Sequence, residues 1–191
     1  MDPIIIDNIT FNPDFEAISD NLKIKPGSSR AAEINNLLTK AREIARPKAV
    51  YKIVSVQGKG EDQITLDGKL FASRILCINL EDVHRAFLYV VTCGTELHEW
   101  VKEIKDPFTS YLADSISLFA LYQAEDHIFS HLSDNYGLTK TATMNPGSLE
   151  DWPIQAQIPL FELLGDPRKA IGVYLTESLL MIPRQSVSGI L

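Results

Sequence analysis

The chain has 191 residues, of which 45% are hydrophobic and 23% charged, with a formal net charge of -7. That length can bury a full core without covalent staples, and the acidic balance argues against nucleic acid, whose phosphates demand concentrated Lys and Arg. Cys77 and Cys93 form neither a disulfide framework nor a metal knuckle and fit a reducing cytoplasm; Met1-Asp2-Pro3 lacks a signal-peptide start, and no apolar run nears the roughly 20 residues that span a bilayer.

Residues 1–27 read as an irregular arm or a short edge strand, because Pro3, Pro13 and Pro26 interrupt pieces such as Ile4-Ile5-Ile6. Ser29 is a candidate cap for an amphipathic helix in which Ala31, Ile34, Leu38, Ala41 and Ile44 recur at helical spacing, stopped at Arg46-Pro47. Val50 to Val56 is β-branched and strand-like. Asp67-Gly68 between Gln63–Leu66 and Lys69–Ala72 is a two-residue hairpin signal. Arg74 to Asn79 is apolar apart from its ends, after which Glu81-Asp82 is expected to open a short helix. Phe87 to Val91 reads as a buried strand, followed by a turn at Thr92-Cys-Gly-Thr95 and a helix from Glu96 to Lys105.

The longest helix is expected from about Phe108 to Ser133, with apolar residues on more than one face, ending at Asn135-Tyr-Gly137. Lys140 to Pro153 reads as a loop with a turn at Asn145-Pro-Gly-Ser148, and Gln155 to Leu164 as a short helix closed by Gly165-Asp-Pro167. No repeat, low-complexity tract or linker divides the chain, so residues 1–191 read as a single domain. Helices interleaved with short strands and tight hairpin signals favour an α+β fold.

Most chemical motifs weaken on inspection. His127 and His131 are one helical turn apart, but no further metal ligands accompany them, and packing or surface roles are favoured over a metal pair. Cys93 precedes a helix start that could lower a thiol pKa, yet no His and acid partners are evident, so a small buried residue is favoured. Gly58-Lys59-Gly60 lacks phosphate-loop spacing. Trp152 beside the Asn145–Ser148 turn could wall a ligand or merely pack beneath the turn. Glu177 could orient a ligand amine or cap backbone amides. The residues alone leave both pairs open.

The C-terminal stretch is the most specific. Leu175-Thr-Glu-Ser178, then Met181, Pro183 and Ser186-Val-Ser-Gly189, with Pro146-Gly147 and Trp152-Pro upstream, resembles the activation domain of cobalamin-dependent methionine synthase. Thr92-Cys-Gly-Thr-Glu-Leu97 and Ala113-Asp114 are similar to compact, free-standing relatives. The resemblance implies an α+β fold with a twisted antiparallel sheet and flanking helices. It implies a cytoplasmic accessory protein that supports reductive reactivation or remethylation of a cobalamin-dependent methyltransferase or corrinoid protein. S-adenosylmethionine would be the methyl donor, the partner would carry cobalamin, and a reductant protein would supply the electron; no membrane is involved.

On the same resemblance, the candidate ligand residues are Asn145, Pro146, Gly147, Ser148, Thr176, Glu177, Ser178, Ser186, Ser188 and Gly189, with no metal. The family's turn carries an arginine and a tyrosine where this chain has Thr143 and Ser148, and a helical acid where it has Leu118. Threonine cannot form the paired hydrogen bonds that a guanidinium makes to a carboxylate. The alternatives are a module that binds a corrinoid protein without S-adenosylmethionine, or a small-metabolite binder reusing the fold.

Overall fold

The computed structural model describes residues 2–25, 27–138 and 141–191. The arm's Met1 and Pro26 and the expected loop start at Lys140 lie outside the described residues. The fold is built on two long antiparallel strands, β2 (Lys48–Gln57) and β5 (Arg85–Thr92), paired from Lys48↔Thr92 to Ser55↔Arg85. β2 is long enough to hold two partners on its other edge. β1 (Ile4–Ile6) pairs with its first half, and β3 (Gln63–Leu66), joined to β4 (Lys69–Ala72), pairs with its end. The far edge of β5 takes β8 (Ser186–Ile190), also antiparallel. A separate two-stranded ribbon, β6 (Tyr174–Leu175) and β7 (Met181–Ile182), precedes β8.

Side chains alternate across this sheet, and both faces are covered. Ala49, Tyr51, Phe87, Tyr89 and Val91 join one core, whereas Val50, Val54, Ala86, Leu88 and Val90 join another. A strand buried on both faces needs no polar alternation, which explains why β5 reads as an unbroken apolar run. On the first face lie α1 (Phe15–Asn21), α2 (Ser29–Ile44), α4 (Thr95–Glu103) and the 30-residue α5 (Pro107–Tyr136). On the second lie α3 (Arg74–Asn79), α6 (Gln157–Leu164) and α7 (Pro167–Ile171).

α5 packs against α2, α4 and β5. Asp106 caps its start by accepting from the Thr109 amide at 2.8 Å, Pro107 occupies its first turn, and left-handed Gly137 ends it. Among the described residues, no helix is long and apolar enough to cross a membrane.

Three local expectations need correction. The arm holds the expected short edge strand, β1, but is not irregular beyond it: it also contains α1, because Asp14 caps that helix through its carboxylate and Ile18 anchors it in the core. The α2 cap is Ser28, whose hydroxyl accepts from Ala31 at 3.2 Å, one residue earlier than expected. The short helix expected at Glu81-Asp82 is instead α3, started by Ser73 accepting from Leu76 at 3.0 Å; Glu81-Asp82 is a turn. The Gly165-Asp-Pro167 break closes α6 as expected, and Asp166 there also caps α7, where proline sits comfortably in a first helical turn.

Candidate functional site

The segment after α5 returns along the free edge of β8. Met144 and Ile190 exchange both backbone hydrogen bonds at 2.9 Å, which seats the next residue, Asn145, beside β8. The Asn145 amide donates to the Tyr89 hydroxyl at 3.0 Å and to the Ser188 carbonyl at 2.9 Å. Gly189 is the residue that lets this happen. A Cβ there would lie 2.6 Å from the Asn145 nitrogen, 2.6 Å from the Met144 carbonyl oxygen and 2.9 Å from the Tyr89 hydroxyl. Burial pushes the Tyr89 phenol up to about 12, against the Asn145 hydrogen bond, which favours the ionised form. The phenol is therefore neutral across the physiological range.

The Pro146-Gly147 turn is closed from within. Ser148 donates its amide to the Asn145 carbonyl at 3.0 Å, and Gly147 donates to the Trp152 carbonyl at 2.8 Å. Pro146 is buried, while Gly147, Ser148 and Thr143 are exposed. Trp152 is fully buried, edge-on to Phe71 with ring centroids 6.3 Å apart, so it packs beneath the turn and does not wall an open ligand site. Asp151 ties the loop to α3, accepting from the Ser73 hydroxyl at 2.8 Å and from the Ile75 amide at 3.1 Å.

Thr176, Glu177 and Ser178 form the tip of the β6–β7 ribbon. The Thr176 hydroxyl accepts from the Leu180 amide at 3.1 Å and lies 3.0 Å from the Ser178 hydroxyl. Leu179 closes the turn with φ +63°, donating to the Thr176 carbonyl at 2.9 Å. Glu177 is exposed and makes no side-chain hydrogen bond or ion pair to a described residue. At the foot of the ribbon, Ser186 donates to the Pro183 carbonyl at 2.7 Å and lies 2.8 Å from the Thr92 hydroxyl. Gln185 donates to Asp114 on α5 at 3.1 Å.

Nine of the ten candidate residues thus fall into two groups. Asn145, Ser188 and Gly189 meet at β8 with the 145–148 turn beside them, whereas Thr176, Glu177 and Ser178 sit at the ribbon tip; Ser186, the tenth, is held at the ribbon's foot by Pro183 and Thr92. Ser188 is 2% exposed, and its hydroxyl has no hydrogen-bond partner among the described residues.

A half-open cavity of about 330 Å³ lies next to the first group, and none of the ten lines it. It opens where β5 begins, over a floor of Leu80, Phe87 and Met144, with Asn79, Arg85 and Thr141 among the residues around it. Arg85 was not singled out by the sequence reading. Its only signal there is a basic residue opening an otherwise apolar strand, a position equally suited to a solvated strand end.

The other chemical candidates resolve plainly. Cys93 is 1% exposed, and burial pushes its thiol up to about 12, with Asp114 adding to the shift. A buried thiol held protonated is a packing residue, not a nucleophile. Its neighbour Gly94 has φ +98°, and a Cβ there would lie 2.4 Å from the Arg46 carbonyl oxygen, so the strand-to-helix turn is dictated by close packing. His131 Nε2 lies 3.2 Å from the Tyr51 hydroxyl, which is also 3.1 Å from that of Tyr136, while His127 is exposed. Among the described residues, no group of three or more His, Cys, Asp or Glu could hold a metal ion.

No protein-family model matches the chain, and no curated protein matches it. Among solved structures it is similar to the MetH reactivation domain bound to AdoHcy, with a TM-score of 0.67 over 98% of this chain and 77% of that one. Sequence identity is 13%, so the likeness is one of fold. The chain has the activation-domain-like α+β fold that the C-terminal signature led us to expect.

Proposed function

We propose that the chain is a cytoplasmic accessory protein that supports reductive reactivation or remethylation of a cobalamin-dependent methyltransferase or corrinoid protein. The observation that carries this reading is the coincidence of two independent likenesses. The fold matches a methionine synthase reactivation domain along almost the whole chain, and the motif-like residues 175–178 and 186–189 build the β6–β7 ribbon and β8. Cobalamin would arrive on the partner protein, and a separate reductant would supply the electron.

Two versions differ in the methyl donor. In the first, S-adenosylmethionine binds along the Asn145–Ser148 turn and the polar groups at 176–178, 186, 188 and 189; AdoHcy, which the similar domain binds, is its demethylated analogue. In the second, the chain holds the corrinoid protein without that donor. Side-chain commitments favour the second. Asn145, Thr176 and Ser186 spend their polar groups on internal hydrogen bonds, Ser188 is buried, and Thr143 offers no cation to a ligand carboxylate. The exposed Ser148, Glu177 and Ser178 remain for contact with a partner.

Calorimetric titration with S-adenosylmethionine, alongside capture of corrinoid proteins from extract of the source cells, separates the versions. A captured corrinoid protein whose retention is indifferent to the donor supports the second version, and micromolar donor binding restores the first. Failure to bind either ends the accessory reading.

A further inference from the structure

The cavity at the start of β5 combines features that the accessory reading does not use. Its volume is at the lower end of the range for small-molecule sites, and most of its lining is apolar. Leu80 comes from the end of α3, Phe87 from β5 and Met144 from the segment bridged to β8, so three separately anchored elements hold the floor. Leu80, Phe87 and Met144 are 3%, 7% and 4% exposed, which marks a preformed floor and not a gap between mobile side chains.

Among the described residues, Arg85 supplies the only charged side chain in this lining, and no Asp or Glu is part of it. Among the described residues its guanidinium forms no ion pair. On a chain of net charge -7, this places a guanidinium beside an apolar hollow. The Asn79 side-chain nitrogen donates to the Ile75 carbonyl at 2.8 Å, which leaves its amide oxygen for another donor. The Thr141 hydroxyl adds a further polar group.

We propose that this cavity binds a small organic anion, its apolar body on Leu80, Phe87 and Met144 and its carboxylate or phosphate on Arg85. Charge-assisted hydrogen bonds from a guanidinium orient such a group, while the floor removes the apolar body from water. The proposal is independent of any methyl donor or corrinoid partner.

The test is calorimetric titration of the full chain with octanoate, octyl phosphate and the neutral octanamide. At least one anion should bind saturably, about tenfold or more tighter than octanamide, the factor expected of one charge-assisted contact. Which anion binds better decides between carboxylate and phosphate. Arg85→Gln should abolish the preference over octanamide, and Arg85→Lys should retain part of it. Ala142→Trp, at an exposed position lining the cavity, should block all three probes. Thermal melts establish that each variant is folded. Equal binding of octanamide, anion binding that survives Ala142→Trp, or no saturable binding of any probe overturns the proposal. None of these outcomes depends on S-adenosylmethionine or corrinoid-protein binding, so the two readings fail separately.

Discussion

Ser188 and Gly189 sit side by side on β8 under opposite constraints. Gly189 faces backbone and side-chain atoms that leave no room for a Cβ, the tightest of them the Met144 carbonyl oxygen and the Asn145 amide at 2.6 Å. Gly189→Ala must therefore push the 144–145 segment off the strand. We expect a loss of about 1–3 kcal/mol, typical of overpacking, read as a fall in denaturant midpoint. Ser188 points the other way, into the second core, with its hydroxyl unpartnered. Removing an unsatisfied buried hydroxyl is neutral or stabilising by about 1 kcal/mol, so Ser188→Ala should hold or raise the midpoint. A marked loss there would show that the hydroxyl has a partner in solution.

The β3–β4 hairpin shows how an element is secured by its turn. Asp67 takes φ +44° in the Asp-Gly turn, accepts from the Ser55 amide at 2.8 Å and pairs with Lys52 at 3.3 Å. Burial raises its pKa, but the Ser55 hydrogen bond and Lys52 outweigh it and hold the carboxyl below its usual range. A depressed folded pKa contributes stability that is present above the unfolded value, near 3.9, and is lost as pH falls through the folded value. Asp67→Asn keeps a residue tolerant of this backbone while removing the charge. It should cost up to about 1 kcal/mol at pH 7, and the gap from wild type should shrink in melts taken at successively lower pH below 4.

α5 offers a second test at the same scale. Ile128 is fully buried, whereas Tyr122 is 49% exposed although both lie on an apolar-rich helix. Ile128→Ala should cost about 2–5 kcal/mol, and Tyr122→Ala should stay within about 0.5 kcal/mol. Equal effects in urea melts would mean that the helix is rotated from its described orientation.

Across the whole molecule, the centre of stability is the β2–β5 pair, hydrogen-bonded along eight registers and covered on both faces. Amides of β5 from Leu88 to Val91 should be the slowest to exchange in native-state hydrogen exchange. Those of the β6–β7 ribbon, paired in only two registers, should exchange at least a hundredfold faster, as expected where local opening is cheap. Comparable protection in both would indicate that something further covers the ribbon. The exposed Glu177 and Ser178 sit at the tip of this weakly paired ribbon.

How much of this was legible beforehand follows from which interactions are local. Helical spacing placed α2 and α5, the Gly165 break marked the end of α6, Asp67-Gly68 placed the hairpin to the residue, and the Thr176–Ser178 and Ser186–Gly189 pattern pointed to the fold. Those features are properties of neighbouring residues: backbone preferences, periodic burial and turn chemistry. α3 was missed because six residues, only the middle four of them apolar, carry too little period to tell helix from strand, and its start depends on Ser73 and on Asp151, far along the chain.

Only the tertiary structure decided what the opening chemistry amounts to. Asn145 meets Tyr89 and Ser188 across 56 and 43 residues of sequence, and the order of polar groups near the C-terminus proves to be turn and ladder chemistry. The cavity floor draws on three segments that no spacing rule connects. Local sequence thus determined the elements and, through the motif, the kind of fold. Long-range packing determined which polar groups are consumed inside it and which, such as Arg85, form no ion pair among the described residues.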